Sequence, residues 1–72
     1  MNYNYHSPQK EPGEKIRQLR QKMGLSQETL ASMVGASKEA ICCYELGERI
    51  PRDEIKIKLC DFFGVTLSSI FE

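Results

Sequence analysis

The stretch SQETLASMVGASKEAICCYEL, residues 26–46, decides the fold of this chain. Two short amphipathic segments lie on either side of Gly35, and Ala31 and Ile41 stand where helices formed by those segments would meet. Two helices can cross closely over a turn of about three to four residues only if the residues at the crossing are small. Ala31 provides a small surface, Gly35 allows a turn free of Cβ strain, and Ile41 fills the joint. The spacing therefore predicts two tightly crossed helices, a helix-turn-helix unit.

The length and charge of the chain describe one small domain. The 72 residues carry a formal net charge of zero. A neutral balance argues mildly against a general polyanion binder, for which a basic chain is expected. Charge distribution matters more than the sum, and Lys15, Arg17, Arg20 and Lys22 crowd one predicted helix. These residues could give a neutral chain a positive face.

The three cysteines, Cys42, Cys43 and Cys60, favour reduced thiols in a cytoplasmic protein. Their number is odd, they form no C-x-x-C motif, and adjacent cysteines on one helix point in different directions. His6 stands far from them in the sequence, so neither a zinc site nor another cofactor is expected. No apolar run approaches the ~20 residues of a membrane span, and nothing indicates a small-molecule ligand.

Helical periodicity, capping serines and glycine punctuation predict a compact all-α bundle of five short helices. The first, fourth and fifth predicted helices cover residues 14–23, 52–63 and 66–71. The second and third begin at residues 26 and 37, and Gly13 lies just before the first helix. The polar residues 1–12 are predicted to form a flexible N-terminal tail, followed by the domain 13–72. The predicted core positions are Ile16, Leu19, Met23, Leu30, Ala31, Val34, Ile41, Tyr44, Ile55, Leu59, Cys60, Phe63, Val65, Leu67, Ile70 and Phe71.

Three motifs in order resemble the Cro/XRE family of phage-repressor-like helix-turn-helix domains. IRQLRQKMGLSQETLASMVG resembles the family's first two helices, SKEAICCYELGERIP resembles its recognition helix and exit loop, and DFFGVTLSSIFE resembles its closing helix. The resemblance covers about residues 14–71. It implies a lambda-repressor-like fold and a transcriptional regulator that binds double-stranded DNA and is not an enzyme.

The resemblance also implies roles for residues outside the third helix. Gln27 at the start of the second helix is expected to contact a DNA phosphate, where the helix N-terminus also favours an anion. Arg49 and Arg52 in the exit loop are expected to contact phosphates as well. Arg20 and Glu45 are expected to form an internal ion pair that ties the first helix to the third.

The expected base-contacting residues belong to the third helix: Ser37, Lys38, Glu39, Cys42 and Cys43. Their chemistry agrees with this role, because lysine donates to guanine O6 and N7 and glutamate accepts from cytosine N4. A cysteine makes poor polar contacts but can contact the methyl group of thymine. The cysteines depart from the polar residues that many relatives carry at these two positions.

Two functions stay open on the sequence alone. The first is a sequence-specific regulator that acts as a homodimer on a pseudo-palindromic operator, with half-sites about 34 Å apart. Its dimer surface is expected to include Ile57, Leu67, Ile70 and Phe71. The second is a protein-interaction module of the same fold, antitoxin-like or anti-repressor, with weak DNA binding. An enzyme is disfavoured because the chain has no glycine-rich phosphate loop, paired carboxylates or nucleophile beside a base.

Overall fold

The computed structural model describes residues 10–71, which form five α-helices and contain no strand. The helices are α1 Lys10–Lys22, α2 Gln27–Val34, α3 Lys38–Leu46, α4 Asp53–Phe63 and α5 Leu67–Phe71. The prediction of an all-α bundle of five short helices is confirmed. Within the described range, none of these helices is long and apolar enough to cross a membrane.

Serine caps and a left-handed glycine set the turn between α2 and α3. The hydroxyls of Ser26 and Ser37 each accept a 3.0 Å hydrogen bond from the backbone N–H three residues later. These bonds satisfy donors that a helix start would otherwise leave unpaired. Gly35 ends α2 with a φ of 74°, and its N–H donates to the Ala31 carbonyl. Because this φ is unfavourable for a residue with a Cβ, the turn requires the glycine, as predicted.

The core collects one or more residues from every helix. Ile16, Leu30, Ile41 and Leu59 are completely buried, and Ile70 of α5 is 2% exposed. α3 packs against α1 and α2, while α4 packs against α2 and α5, and α5 closes on α1. Among residues 10–71, this arrangement holds α3 from two sides and leaves its remaining face uncovered.

Two residues predicted in the core are on the surface instead. Met23 is 50% exposed because it lies beyond the last residue of α1, in the turn that leads to α2. Leu67 is 49% exposed because it begins α5, with only Ile70 of that helix fully buried. Ile70 was also a candidate for the dimer surface, but its side chain is buried in the core and cannot contribute to such a surface.

The first helix begins four residues earlier than predicted. α1 starts at Lys10, so Pro12 and Gly13 lie in its first turn rather than before it. Proline is tolerated there because the first N–H groups of a helix have no partner within the helix. The rest of the predicted tail, residues 1–9, lies outside the described residues. Gly13 is buried against the end of α3.

Candidate nucleic-acid interface

The inner face of α3 is fixed in the core. Ile41 is completely buried, and Ala40 and Tyr44 are 9% and 7% exposed. Glu45 is buried beside them although it carries a charge. Because one side of the helix is immobilised in this way, the positions of the side chains on its opposite side are also set.

The outer face of α3 is the surface formed by Lys38, Glu39, Cys42, Cys43 and Leu46. The first two side chains are exposed, the two cysteines are half-buried, and Leu46 is 60% exposed. Helix residues three, four or seven positions apart share a side, so these five form one continuous surface. Four of the five were predicted to contact bases. Leu46 was missed, although its place two turns after Glu39 is a sequence signal that points to this surface.

Ser37, the remaining predicted base-contacting residue, lies at the start of this surface and is exposed. Its hydroxyl oxygen is occupied as the N-cap of α3, where it accepts from the Ala40 N–H. The hydroxyl hydrogen can still donate to an outside acceptor. Capping therefore limits the way in which Ser37 could contact a base without preventing it.

Arg20 and Glu45 form the ion pair that the resemblance implied. Arg20 Nε donates to Glu45 Oε2 at 2.6 Å, and Arg20 Nη2 donates to Glu45 Oε1 at 3.1 Å. This two-bond geometry is the strong form of an arginine–carboxylate pair. The hydrogen bond to Glu45 raises the pKa of Arg20 above its ordinary value, and this effect exceeds the lowering by burial. The guanidinium therefore stays charged while it joins α1 to α3.

Two further hydrogen bonds extend the pair into a network across the first three helices. Arg20 Nη1 donates to the Leu25 carbonyl at 2.7 Å, in the turn between α1 and α2. Gln27 Nε2 donates to Glu45 Oε1 at 3.0 Å. The side chains of Arg20 and Glu45 are 13% and 3% exposed, so the network is largely shielded from water. It fixes the start of α2 relative to α3.

Gln27 thus has a structural contact that sequence reasoning missed. It was expected to direct its amide at a phosphate, and one N–H of that amide is instead directed at Glu45. Its second amide N–H, its side-chain oxygen and the backbone N–H groups at the start of α2 are not consumed by this bond. The phosphate contact stays a prediction, made from a side chain whose orientation the network sets.

Arg17 stands on one side of α3 and was missed as a site residue. It lines a cavity of about 220 Å³ together with Gln27, Cys42 and Leu46. The sequence placed Arg17 only in the general basic cluster of the first helix. Its spacing of three residues before Arg20 is the signal that places it beside α3, because residues so spaced share a helix side.

Arg49 and Arg52, in the loop that follows α3, border the start of that helix. Both are exposed, and both line a cavity of about 300 Å³ with Ser37 and Ala40. The exit loop therefore brings its arginines next to the first turn of α3. Arg17 and the two exit-loop arginines therefore border α3 at two different cavities.

Residues 10–71 contain no group of three or more histidine, cysteine, aspartate or glutamate side chains arranged to hold a metal ion. Cys60 is buried, and its thiol donates to the Thr66 carbonyl at 3.6 Å. Burial raises the pKa of the Cys60 thiol, and the nearby Asp61 carboxylate adds to this effect. Cys60 is therefore a protonated core residue at neutral pH.

A family model and known transcriptional regulators match most of this sequence. The helix-turn-helix family model HTH_3 matches residues 16–70. The uncharacterized HTH-type transcriptional regulator YgzD of Bacillus subtilis (strain 168) is 30% identical over 57 residues, which are 79% of this chain and 86% of YgzD. The cryptic phage CTXphi transcriptional repressor RstR of Vibrio cholerae is 38% identical over 56 residues. That match covers 78% of this chain and 50% of RstR, so the chain spans half the length of that repressor.

Solved structures share the fold over most of the chain. The P22 c2 repressor in complex with a synthetic operator superposes with a TM-score of 0.82 at 31% identity, covering 85% of this chain and 92% of that one. The restriction-modification controller protein C.AhdI from Aeromonas hydrophila superposes with a TM-score of 0.77, at the same identity and coverage. The chain therefore belongs to the Cro/XRE-type helix-turn-helix family of DNA-binding transcriptional regulators, which are not enzymes.

Proposed function

We propose that this protein is a sequence-specific transcriptional regulator that binds a pseudo-palindromic operator as a homodimer, with α3 in the major groove. The outer face of α3 carries the proposal, since it holds Lys38 and Glu39 exposed while the opposite face is anchored in the core. The major groove of B-DNA is about 12 Å wide and admits one α-helix. A helix held in this way presents its outer side chains to the bases in a fixed arrangement.

The arginines beside α3 support the same placement. Arg17 lines a cavity with Cys42 and Leu46, and Arg49 and Arg52 line another with Ser37 and Ala40. A helix in the major groove has a phosphate backbone on each side, and we expect these arginines to contact it. Phosphate contacts set register and orientation, whereas base-edge contacts specify sequence. The neutral net charge is compatible with this role because the cations needed are local.

Two exposed apolar residues support the homodimer. Ile57 on α4 and Leu67 on α5 are 54% and 49% exposed. Both were expected in the dimer surface, and their exposure leaves them available to a second copy. Pairing two domains across a twofold axis doubles the base contacts and sets the half-site centres about 34 Å apart.

The relatives point to operator DNA as the target. The P22 c2 repressor was solved with a synthetic operator, and RstR is a transcriptional repressor. By analogy, this protein acts at an operator, and repression is the direction of control that these relatives favour.

Selection of bound duplexes from random DNA tests the proposal. We expect enrichment of one inverted repeat whose half-sites lie one helical turn apart, with binding that weakens as salt rises. Enrichment of a single unrepeated half-site would contradict the homodimer alone. If no sequence is enriched and a pull-down finds a stable protein partner, the interaction module is the correct function.

Removal of the Lys38 ammonium group is expected to change which base pair is preferred at one position of each half-site. Lysine can donate to guanine O6 and N7, and a good contact of this kind discriminates by ~1–3 kcal/mol. Competition binding against operators changed at one position at a time should show that Lys38→Ala loses preference there and keeps it elsewhere. Lys22→Ala serves as the control, because Lys22 is exposed on α1 along its groove with α5.

Removal of the Arg49 guanidinium is expected to weaken binding to all sequences alike. A phosphate contact carries no sequence information, and its loss reduces the dependence of log K on log salt by about one unit. Titration of wild type, Arg49→Ala and Lys22→Ala with operator and non-operator DNA at several salt concentrations measures this. If Arg49→Ala and Lys38→Ala behave in the same way, the division between positioning and reading residues is wrong.

A further inference from the structure

The second half of the outer face of α3 is apolar. Cys42, Cys43 and Leu46 follow the charged first turn and add neither a basic side chain nor a carboxylate to the surface. A thiol is only a weak hydrogen-bond donor and acceptor. Leu46 is 60% exposed and lines one cavity with Cys42. Cys43 is three residues before Leu46 and so lies on the same side of the helix.

We infer that this apolar patch recognises the C5 methyl groups of thymine, so that A·T pairs occupy the part of each half-site beneath it. The inference rests on the proposed function and specifies its DNA sequence. Among base edges in the major groove, thymine alone presents a methyl group, and apolar side chains are its natural contact. The patch is therefore complementary to thymine.

G·C pairs would fit the same patch poorly. Their major-groove edge carries the N7 and O6 acceptors of guanine and the N4 amino group of cytosine. Cys42, Cys43 and Leu46 would remove water from these groups and return only weak hydrogen bonds. Desolvated polar groups without partners are unfavourable, so the patch would select against G·C as well as for A·T.

The charged turn and the apolar patch reach different base pairs. Lys38 and Cys42 are four residues apart, which corresponds to about 6 Å along a helix axis. Successive base pairs are about 3.4 Å apart along the duplex. A half-site is thus expected to combine a position read by Lys38 and Glu39 with neighbouring thymines beneath the patch.

Replacement of single thymines by deoxyuridine tests the inference on the selected operator. This change removes one methyl group and leaves all hydrogen-bonding groups of the base in place. We expect binding to weaken about fourfold at one or two positions of each half-site, which is the effect of no longer burying one methyl group. At other positions, the operators with thymine and with deoxyuridine should bind with equal affinity.

Protein variants assign the effect to the patch. In the Cys42→Ser, Cys43→Ser double variant, hydroxyls replace the apolar thiols. The ratio of the affinities for the thymine and the deoxyuridine operator should therefore fall towards one at the affected positions. The corresponding alanine variant should keep more of the preference, and Leu46→Ser should reduce it at an adjacent position. Met33→Ser provides the matched control, since Met33 is an exposed apolar residue of α2, 59% accessible, and should leave the preference unchanged.

Three outcomes would overturn the inference. Equal binding of thymine and uridine throughout a tightly bound operator refutes it and leaves the proposed function intact. A thymine preference that survives in the serine variants shows that other residues read the methyl groups. Absence of any selected DNA refutes both proposals together. The wild-type comparison needs no protein variant, so it decides the question even if a serine variant does not fold.

Discussion

Replacement of Glu45 by alanine is expected to destabilise the protein by about 3–5 kcal/mol, the range found when one partner of a buried ion pair is removed. Arg20 would keep a charged guanidinium that is only 13% exposed, and Gln27 would lose the acceptor of its 3.0 Å hydrogen bond. Small domains have free energies of unfolding of about 5–15 kcal/mol, so this loss brings the variant close to unfolding. Urea denaturation followed by far-ultraviolet circular dichroism measures it.

Two comparisons show whether the network is responsible. Glu48→Ala removes the same charge from an exposed residue and should change the free energy of unfolding by no more than about 0.5 kcal/mol. The double variant Arg20→Met, Glu45→Leu removes both charges and should be more stable than Glu45→Ala, because no unpaired charge stays buried. If Glu45→Ala is as stable as Glu48→Ala, the ion pair does not hold α1 and α3 together.

Much of the fold follows from signals contained within single helices. Ser26 and Ser37 cap the helices that they precede, and Gly35 ends α2, because each of these effects depends on a few neighbouring residues. Helical spacing likewise identified Leu30 and Ile41 as core residues. The surface that holds the predicted base-contacting residues could be found in the same way, since the buried face of one helix defines the opposite one.

Features that depend on contacts between helices were less accessible to sequence reasoning. The bond from Gln27 to Glu45 joins α2 to α3, and no local pattern announces it. The place of Arg17 beside Cys42 depends on the angle at which α1 crosses α3. Met23 fits the helical period of the core, but α1 ends before it and no neighbouring helix covers it. Periodicity identifies a face, whereas tertiary packing decides how far along the helix that face is buried.

The start of α1 was predicted four residues too late, also because a contact between helices was not visible in the sequence. The same contact predicts a large effect of substituting Gly13. Proline and glycine usually interrupt helices, so Pro12 and Gly13 were interpreted as the end of a tail. In the structure Gly13 lies within α1, where the close approach of α3 leaves no room for a side chain: a Cβ at this position would lie 2.7 Å from the Glu45 carbonyl oxygen and closer still to that of Tyr44. Both oxygens belong to the backbone of α3, so they cannot move aside without moving that helix.

Gly13→Ala is therefore expected to lower the free energy of unfolding by about 2 kcal/mol, within the range of overpacking in a well-packed core. Alanine favours a helix interior by up to ~1 kcal/mol over glycine, so a destabilised variant means that the steric effect exceeds a real gain in helix propensity. Urea denaturation measures the change, and Gln18→Ala, at an exposed position of α1, should stay within about 0.5 kcal/mol of wild type.

A series at position 13 separates the steric effect from a general loss of helix. Stability should fall further from alanine to valine, because the larger side chain forces α1 and α3 farther apart. Since this displacement also pulls Arg20 away from Glu45, Gly13→Ala and Glu45→Ala should together destabilise the protein by less than the sum of their separate effects. Stability of Gly13→Ala equal to or above that of wild type would show that the close approach of the two helices at Gly13 is not required.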